Sequence, residues 1–443
     1  MSKQQQHEEA LWQIAEKVGM SRRWFLHLLS VGGASAVMTT IRLSSKSLFG
    51  LPLVYAAGPE ENFAKPTKPY HVYPFAVEAG TRWWDVKTYI TPWERVFIRN
   101  RYKTPLVDKA KWTLKISGDA VEKPLTLTYD ELLKLPSRSE IRVHECFGNG
   151  RTLNWEQLGH EVRGGNWGFS DVGQVEWAYV PMAEILDRAK VKADAKNLLF
   201  WSGVDGPDTG RPMPMSEIFS RLEEIGLAFG MNGVDLPPDH GGPVRAVVPG
   251  WGGAASVKWL TEIIISSTKG FWTRMHTKEE AYIGPDYPPE KPGPDDEFRG
   301  VTAQDIRGQM GTWLKVKSHL TIPYTMKKSE PPEGYPLKQG DVYTMPAGKH
   351  MMLGYAYSPN GIQKVEYSLD GGKTWTEAPI KDPLGLKYRW VRFEFPWEAT
   401  RGTHILATRA TDKQGEVQPD AVPFNELGIN CNAVPKFEVN VTS

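Results

Sequence analysis

Apolar and polar side chains alternate through Trp112-Thr113-Leu114-Lys115-Ile116, a period of two that places Trp112, Leu114 and Ile116 on one face of a strand. Thr128 then opens a short helix at Tyr129-Asp130-Glu131-Leu132-Leu133, which Pro136 brings to an end. Apolar positions at helical spacing predict two further amphipathic helices over 182–189 and 216–225, the second capped by Ser216. Strand-like apolar runs occupy 197–201, 244–248 and 262–265. Strands and short helices mixed without a regular βαβ rhythm predict an α+β region.

Past residue 283 the pattern changes. Pro285, Pro288, Pro289, Pro292, Gly293 and Pro294 mark 283–300 as a linker or surface crossing. From about residue 312 short strands and turns take over. Gln363-Lys364-Val365-Glu366-Tyr367-Ser368, the turn Asp370-Gly371-Gly372 and Thr374-Trp375-Thr376 form a hairpin. Val391, Phe393 and Phe395 share one face of the next strand, 404–410 reads as another, and the repetition predicts an immunoglobulin-like β-sandwich. Three segments result: a leader over 1–57, an α+β region over 58–310 with an irregular lead-in, and a sandwich over 311–443.

The leader carries Ser21-Arg22-Arg23-Trp24-Phe25-Leu26 ahead of an apolar, small-residue stretch over 28–38. That is a twin-arginine export pattern, with Val54-Tyr55-Ala56-Ala57 as a cleavage region. It predicts a periplasmic protein folded around a cofactor before export, the leader being cleaved or kept as an anchor. A chain of 443 residues is too long for one core, and a net charge of +1 with 24% charged residues excludes a general nucleic-acid binder. Of the 17 tryptophans most suit core packing. The 2 cysteines, Cys146 and Cys431, would close a very long loop if paired, so two separate thiols are expected.

Cys146 sits in Glu145-Cys146-Phe147-Gly148-Asn149-Gly150-Arg151. The glycines let backbone approach a ligand closely, and Arg151 adds a cationic fork beside a thiol suited to a soft metal. By itself the motif fits a buried small hydrophobe equally well. A second cluster, Asp239-His240-Gly241-Gly242-Pro243-Val244-Arg245 followed by Ser256-Val257-Lys258, offers donors and cations for a phosphate and a heterocycle. Alone, it reads equally as a solvated loop.

Together these segments resemble the sulfite oxidase family of molybdopterin oxidoreductases. The likeness includes Phe97-Ile98-Arg99-Asn100, the Cys146 motif, Asn166-Trp167-Gly168, Ala228-Phe229-Gly230-Met231-Asn232-Gly233, the His240–Arg245 loop and Val257-Lys258-Trp259. It continues through 367–375, Arg409-Ala410-Thr411-Asp412 and Val417-Gln418-Pro419, which resemble that family's dimerisation domain. The resemblance implies that Cys146 ligates molybdenum held by molybdopterin in its mononucleotide-free form. It implies that Arg99 and Arg151 line an oxyanion pocket and that Trp167 walls it. His240, Arg245 and Lys258, with Asn100, Arg101 and Ser256, are expected to hold the pterin and its phosphate. Lys364 falls where a further substrate-facing arginine is expected, and Phe229 where the sulfite oxidisers are expected to carry tyrosine. Ala255 stands where many relatives have arginine, so a less cationic pocket is expected.

The function implied is periplasmic oxidation of sulfite to sulfate by oxygen-atom transfer. The chain has no Cys-x-x-Cys-His motif for a haem, so the expected electron acceptor is an external c-type cytochrome. A homodimer is expected from the C-terminal half. The alternatives are a reductase of an S-oxide, N-oxide or nitrate on the same site, and a non-catalytic subunit of a sulfur-oxidation complex.

Overall fold

Leu114 and Ile116 are wholly buried while Thr113 and Lys115 face outward, so the alternation read along 112–116 does mark a strand with one face on a core. The computed structural model describes residues 77–443 except Trp167, 205–208, Glu279 and 332–334. The predicted leader and most of the lead-in fall outside the described residues, as does Trp167. No helix among the described residues is long and apolar enough to cross a membrane.

In chain order the first half contains β1 (Val77–Ala79), β2 (Ile98–Asn100), β3 (Thr113–Ser117), β4 (Leu125–Thr128), α1 (Tyr129–Leu132), β5 (Arg138–Glu145), β6 (Val172–Pro181) and α2 (Met182–Ala189). It continues with β7 (Asn197–Trp201), β8 (Gly210–Pro214), α3 (Met215–Ser220), β9 (Gly226–Met231), β10 (Val234–Asp235), β11 (Arg245–Val247) and β12 (Glu262–Ser266). One sheet has the order β4-β3-β12-β7-β8, with β12 parallel to β3; the other runs β10-β9-β6-β5, with β11 also on β9. Thr128 caps α1 through a capping box with Glu131.

Helix α3 departs from expectation: it begins at Met215 rather than Ser216 and ends at Ser220. Arg221 leaves helical geometry because its guanidinium is drawn onto the Trp313 ring, 4.5 Å away, and donates to the Pro249 carbonyl at 2.7 Å. Strand β6 gave no alternating signal because all ten of its residues are buried, on both faces.

Residues 283–300 cross between the halves, with one short strand among them. β13 (Phe271–Trp272) pairs in parallel with β15 (Glu297–Phe298), and β14 (Ala281–Tyr282) pairs antiparallel with β16 (Gln309–Met310). The second half comprises β17 (Lys317–Leu320), β18 (Tyr343–Pro346), β19 (Gly348–Tyr357), β20 (Ile362–Ser368), β21 (Thr376–Glu377), β22 (Trp390–Ala399), β23 (Gly402–Asp412) and β24 (Lys436–Thr442). They form sheets of order β17-β19-β22 and β18-β24-β23-β20-β21, a β-sandwich around Phe393, Phe395, Leu406 and Phe437. Trp83 and Phe169 from the first half are buried in this same core, and the Trp83 indole donates to the Ile322 carbonyl at 3.0 Å. The architecture is the expected one, an α+β unit followed by an immunoglobulin-like sandwich.

Candidate active site

Strand β5 stops at Glu145, and Cys146 is the first residue beyond it. The Cys146 N–H donates to the Asp171 carbonyl at 2.9 Å, and the chain turns at once through Asn149 N–H to Cys146 O at 3.0 Å. Gly150 closes the turn at φ +82°, donating to the Gly168 carbonyl at 2.7 Å. Gly252 allows a second close approach, since a Cβ there would lie 2.3 Å from the Phe147 ring. Together these place Cys146 on the wall of a cavity of about 490 Å3.

Eight Lys and Arg residues line that cavity against a single carboxylate residue, Glu280, among the described residues. Burial nevertheless pushes the Cys146 thiol up to about 12, with Asp171 adding to the rise against the Gly148 N–H, Arg151 and Arg99. A thiol so placed keeps its proton until a stronger cation takes its place, as a bound metal does.

On one side of the sulfur the donors converge on a polar cradle. Arg245 is 1% exposed, and its guanidinium donates to the His240 carbonyl at 2.9 Å and the Ser256 carbonyl at 2.7 Å. No carboxylate lies within ion-pair distance of it among the described residues, and burial pulls it down to about 9. Lys258 Nζ donates to Asn100 Oδ1 and to the Asp239 carbonyl. Burial, then Lys258 and Arg245, lower His240 to about 3, so the ring is neutral and donates from Nε2 to the Trp93 carbonyl at 3.2 Å. Gly241 (φ +98°) completes the cradle, because a Cβ there would stand 2.7 Å from Lys258 Cβ.

Arg99, Asn100, Arg101, Cys146, Arg151, His240, Arg245, Ser256 and Lys258, all singled out in the sequence, thus line one cavity. Two predicted residues do not. Lys364 lies on β20, partnered with Glu366 at 3.3 Å, and its chain position beside Thr411 keeps it on the sandwich surface away from the cavity. Phe229 is 5% exposed and packs with Leu227 in the main core of the first half, on the opposite face of β9 from Ala228; the register with β6 skips Phe229, and beyond that bulge Met231 joins Ala228 in the other cluster. Ala255 is likewise wholly buried in that core, while its neighbour Ala254 meets the cavity.

Several cavity residues escaped the sequence reading. His144 stands two positions before Cys146, so strand geometry gives both the same side; its ring stacks on Phe97 at 5.4 Å, and its Nε2 accepts from Arg245 Nη2 at 3.4 Å. Period two along β5 was the available signal. Arg163, Lys278 and Glu280 come from loops, Arg274 from a short 3-10 helix (Arg274–His276), and Leu427 and Ile429 from the C-terminal segment before β24. Arg274 pairs with Glu280 at 3.0 Å, and Arg163 with Glu426. Nothing local in these sequences marks them. Both cysteines are free thiols, as expected, with Cys431 buried in the sandwich core.

No cluster of three or more His, Cys, Asp or Glu side chains capable of holding a metal occurs among the described residues. A metal bound through Cys146 must therefore bring most of its ligands with it. The fully buried, carboxylate-free Arg245 and the glycine-lined cradle suit an anionic heterocyclic cofactor of that kind.

Comparison with known proteins agrees with that chemistry. Residues 101–272 match the oxidoreductase molybdopterin binding domain, and 329–442 match the Mo-co oxidoreductase dimerisation domain. The chain is 28% identical over 369 residues to mitochondrial sulfite oxidase of Drosophila melanogaster, covering 80% of this chain and 60% of that one. It is 29% identical over 365 residues to sulfite oxidase of Arabidopsis thaliana (76% and 84%) and 30% identical over 374 residues to nitrate reductase [NADH] 1 of rice, Oryza sativa subsp. japonica (80% and 38%). The chain thus spans less than two thirds of the length of several of these relatives. The crystal structure of the sulfane dehydrogenase SoxCD from Paracoccus pantotrophus superposes with a TM-score of 0.70 at 25% identity, covering 90% of this chain and 95% of that one. Two matched domains in this order, with a structural likeness over nearly the whole described chain, make it a member of the sulfite oxidase family of molybdopterin oxidoreductases.

Proposed function

We propose that the protein oxidises sulfite to sulfate at a molybdenum site ligated by Cys146, acting in the periplasm after twin-arginine export. The observation that carries this reading is the thiol of Cys146 on a cavity with eight cationic residues and one carboxylate residue, which favours a small oxyanion. Cys146 is the one cysteine on the cavity, and His240, Arg245, Ser256, Lys258, Asn100 and Arg101 are the residues that would hold molybdopterin, in its mononucleotide-free form. When bound, the cofactor supplies two-electron redox change coupled to oxygen-atom transfer.

The residues of the chain do the rest. Arg99 and Arg151 orient and neutralise the anion. Arg274 also lines the cavity, its charge offset by its pair with Glu280. Leu427 and Ile429 exclude water from one side. Sulfite and one water yield sulfate, two protons and two electrons, and the electrons leave singly to an external c-type cytochrome. The dimerisation domain supports a homodimer.

A second reading, oxidation of a sulfane sulfur, is favoured by two observations: the coverage of SoxCD over 95% of its matched chain, and the apolar Leu427–Ile429 wall. Nitrate reductase among the relatives keeps the reductive direction in view. Molybdenum-loaded protein assayed with ferricytochrome c and sulfite, with ferricytochrome c and thiosulfate, and with reduced viologen and nitrate or S-oxides separates the three. Sulfite-dependent cytochrome reduction supports the proposal. Turnover only with thiosulfate, or only in the viologen assays, rejects it, and mature protein without molybdenum favours a non-catalytic subunit.

A further inference from the structure

Glu145, the residue before Cys146, is 0% exposed, and one of its oxygens is gripped three times. Glu145 Oε1 accepts from Lys317 Nζ at 2.6 Å, from the Tyr357 hydroxyl at 2.6 Å and from Asn149 Nδ2 at 2.9 Å. Its other oxygen, Oε2, is buried with no hydrogen-bond partner among the described residues. Lys317 and Tyr357 are directly opposed partners on β17 and β19, so the sandwich presents them side by side.

The same pair also reaches the far end of the turn. Lys317 Nζ donates to the Asn149 carbonyl at 3.2 Å, and Asn149 Nδ2 donates to the Tyr357 oxygen at 3.1 Å. Asn149 Oδ1 in turn accepts from the Asp171 N–H at 3.1 Å, and the Asp171 carbonyl holds the N–H of Cys146. Both flanks of the turn bearing the thiol, at 145 and at 149, are therefore tied to two side chains of the C-terminal half. The Lys317 side chain is 6% exposed, so its charge and that of Glu145 act on each other in a medium that screens weakly.

We infer that Lys317 and Tyr357 are positioning residues for the metal-binding thiol. They lock the Cys146 turn through Glu145 and Asn149, and the ammonium of Lys317 cancels a carboxylate charge one residue from the sulfur. The sandwich then has a second task beside dimerisation: it sets the place and the electrostatic surroundings of the Cys146 sulfur. This rests on the molybdenum reading above.

The test compares mature full-length wild type with Lys317→Met, Tyr357→Phe and the double variant Glu145→Gln/Lys317→Gln, which keeps hydrogen bonding and removes both charges. Lys317→Met leaves a buried negative charge beside the site and shifts the molybdenum midpoint potential downward, with kcat lower by about 10- to 100-fold, the usual effect of losing a partner that orients a metal ligand. KM stays within about twofold, since no substrate-facing group changes, and the paramagnetic resonance signal of the one-electron-reduced metal changes. The double variant restores the potential.

A wild-type potential and signal in molybdenum-loaded Lys317→Met overturns the inference, as does a double variant shifted as far as the single one. If Lys317→Met does not accumulate, the other two variants decide. A double variant with wild-type potential, together with an altered signal in Tyr357→Phe, supports the clamp; any other combination rejects it. Alkylation of Cys146, located by mass spectrometry, gives a readout without metal. It should proceed faster in Tyr357→Phe, where the Lys317–Glu145 charge pair is intact and only the turn is loosened, than in wild type even when wild type carries no molybdenum, a result that would sink the earlier reading alone; unchanged or slower alkylation in Tyr357→Phe sinks the clamp.

Discussion

Arg151 Nε donates to the backbone oxygen of Leu427 at 2.7 Å, so a guanidinium five residues after the cavity thiol is held by a segment near the other end of the chain. Its Nη1 takes the Gly165 carbonyl at 3.0 Å. Two donors are thus committed to backbone, and what reaches the cavity is charge fixed in place. Arg151→Lys keeps the charge and cannot bridge both carbonyls. Losing a charge-assisted hydrogen bond costs about 1.5–3 kcal/mol, so kcat/KM for sulfite should fall roughly 10- to 100-fold, with KM raised more than kcat is lowered. Steady-state kinetics with ferricytochrome c checks this.

Cys146→Ser replaces a soft thiolate by a hard, weakly acidic hydroxyl of similar volume. Turnover should disappear while the thermal melting curve stays close to wild type. Sulfite oxidation retained in that variant contradicts the assignment of the thiol.

Arg245→Lys tests the cradle. A lysine cannot serve the His240 and Ser256 carbonyls together, and each buried carbonyl left without a donor costs about 1–3 kcal/mol. Molybdopterin content per protein, measured by fluorescence of the oxidised pterin, should fall, and so should thermal stability.

Stability should decline in mild acid. Burial lowers His240 to about 3 and His276 and His319 to about 4, and it holds His144 well below its ordinary value. In the unfolded chain these rings titrate near 6.5, so between about pH 6.5 and 4 the unfolded state binds more protons than the folded one. Their contribution is complete above about pH 6.5 and is lost as pH falls toward 4. Melting temperature followed from pH 7 to pH 4 should drop, and His319→Gln, remote from the cavity and stacked on Phe169, should flatten the slope. An unchanged slope in that variant contradicts the linkage.

Two substitutions test where the structure disagrees with the sequence. Lys364→Ala removes a half-exposed pair with Glu366, worth at most about 1 kcal/mol, and should leave KM for sulfite within about twofold. Phe229→Tyr puts a hydroxyl into an apolar core, lowering stability by about 1–3 kcal/mol if the group finds no partner, without raising sulfite turnover. A gain in sulfite turnover from Phe229→Tyr would place that side chain at the reacting centre.

The two misplacements share a cause. Phe229 and Lys364 were assigned by motif position, and motif position does not report which face of a strand a side chain takes or how far its sheet lies from the cavity. Ala255 and Ala254 make the point at one residue's resolution: one is core, the other wall. Helix α3 was shortened for a related reason, since the attraction of Arg221 to Trp313 is invisible to periodicity.

What the sequence determined by itself was local. Alternation marked strands such as β3, β20 and β22; Thr128 marked the start of α1; and the Cys146 turn and the His240–Arg245 loop carried enough chemistry to single out part of the cavity lining. The tertiary structure decided which distant residues share that cavity, Arg274 and Glu280 from the segment after β13 and Leu427 and Ile429 from the C-terminal segment, and it set Lys317 and Tyr357 behind the thiol. Short-range dihedral and hydrophobic preferences are encoded within a few residues, whereas burial, charge pairing and the closing of a cavity exist only once segments far apart in the chain are packed together.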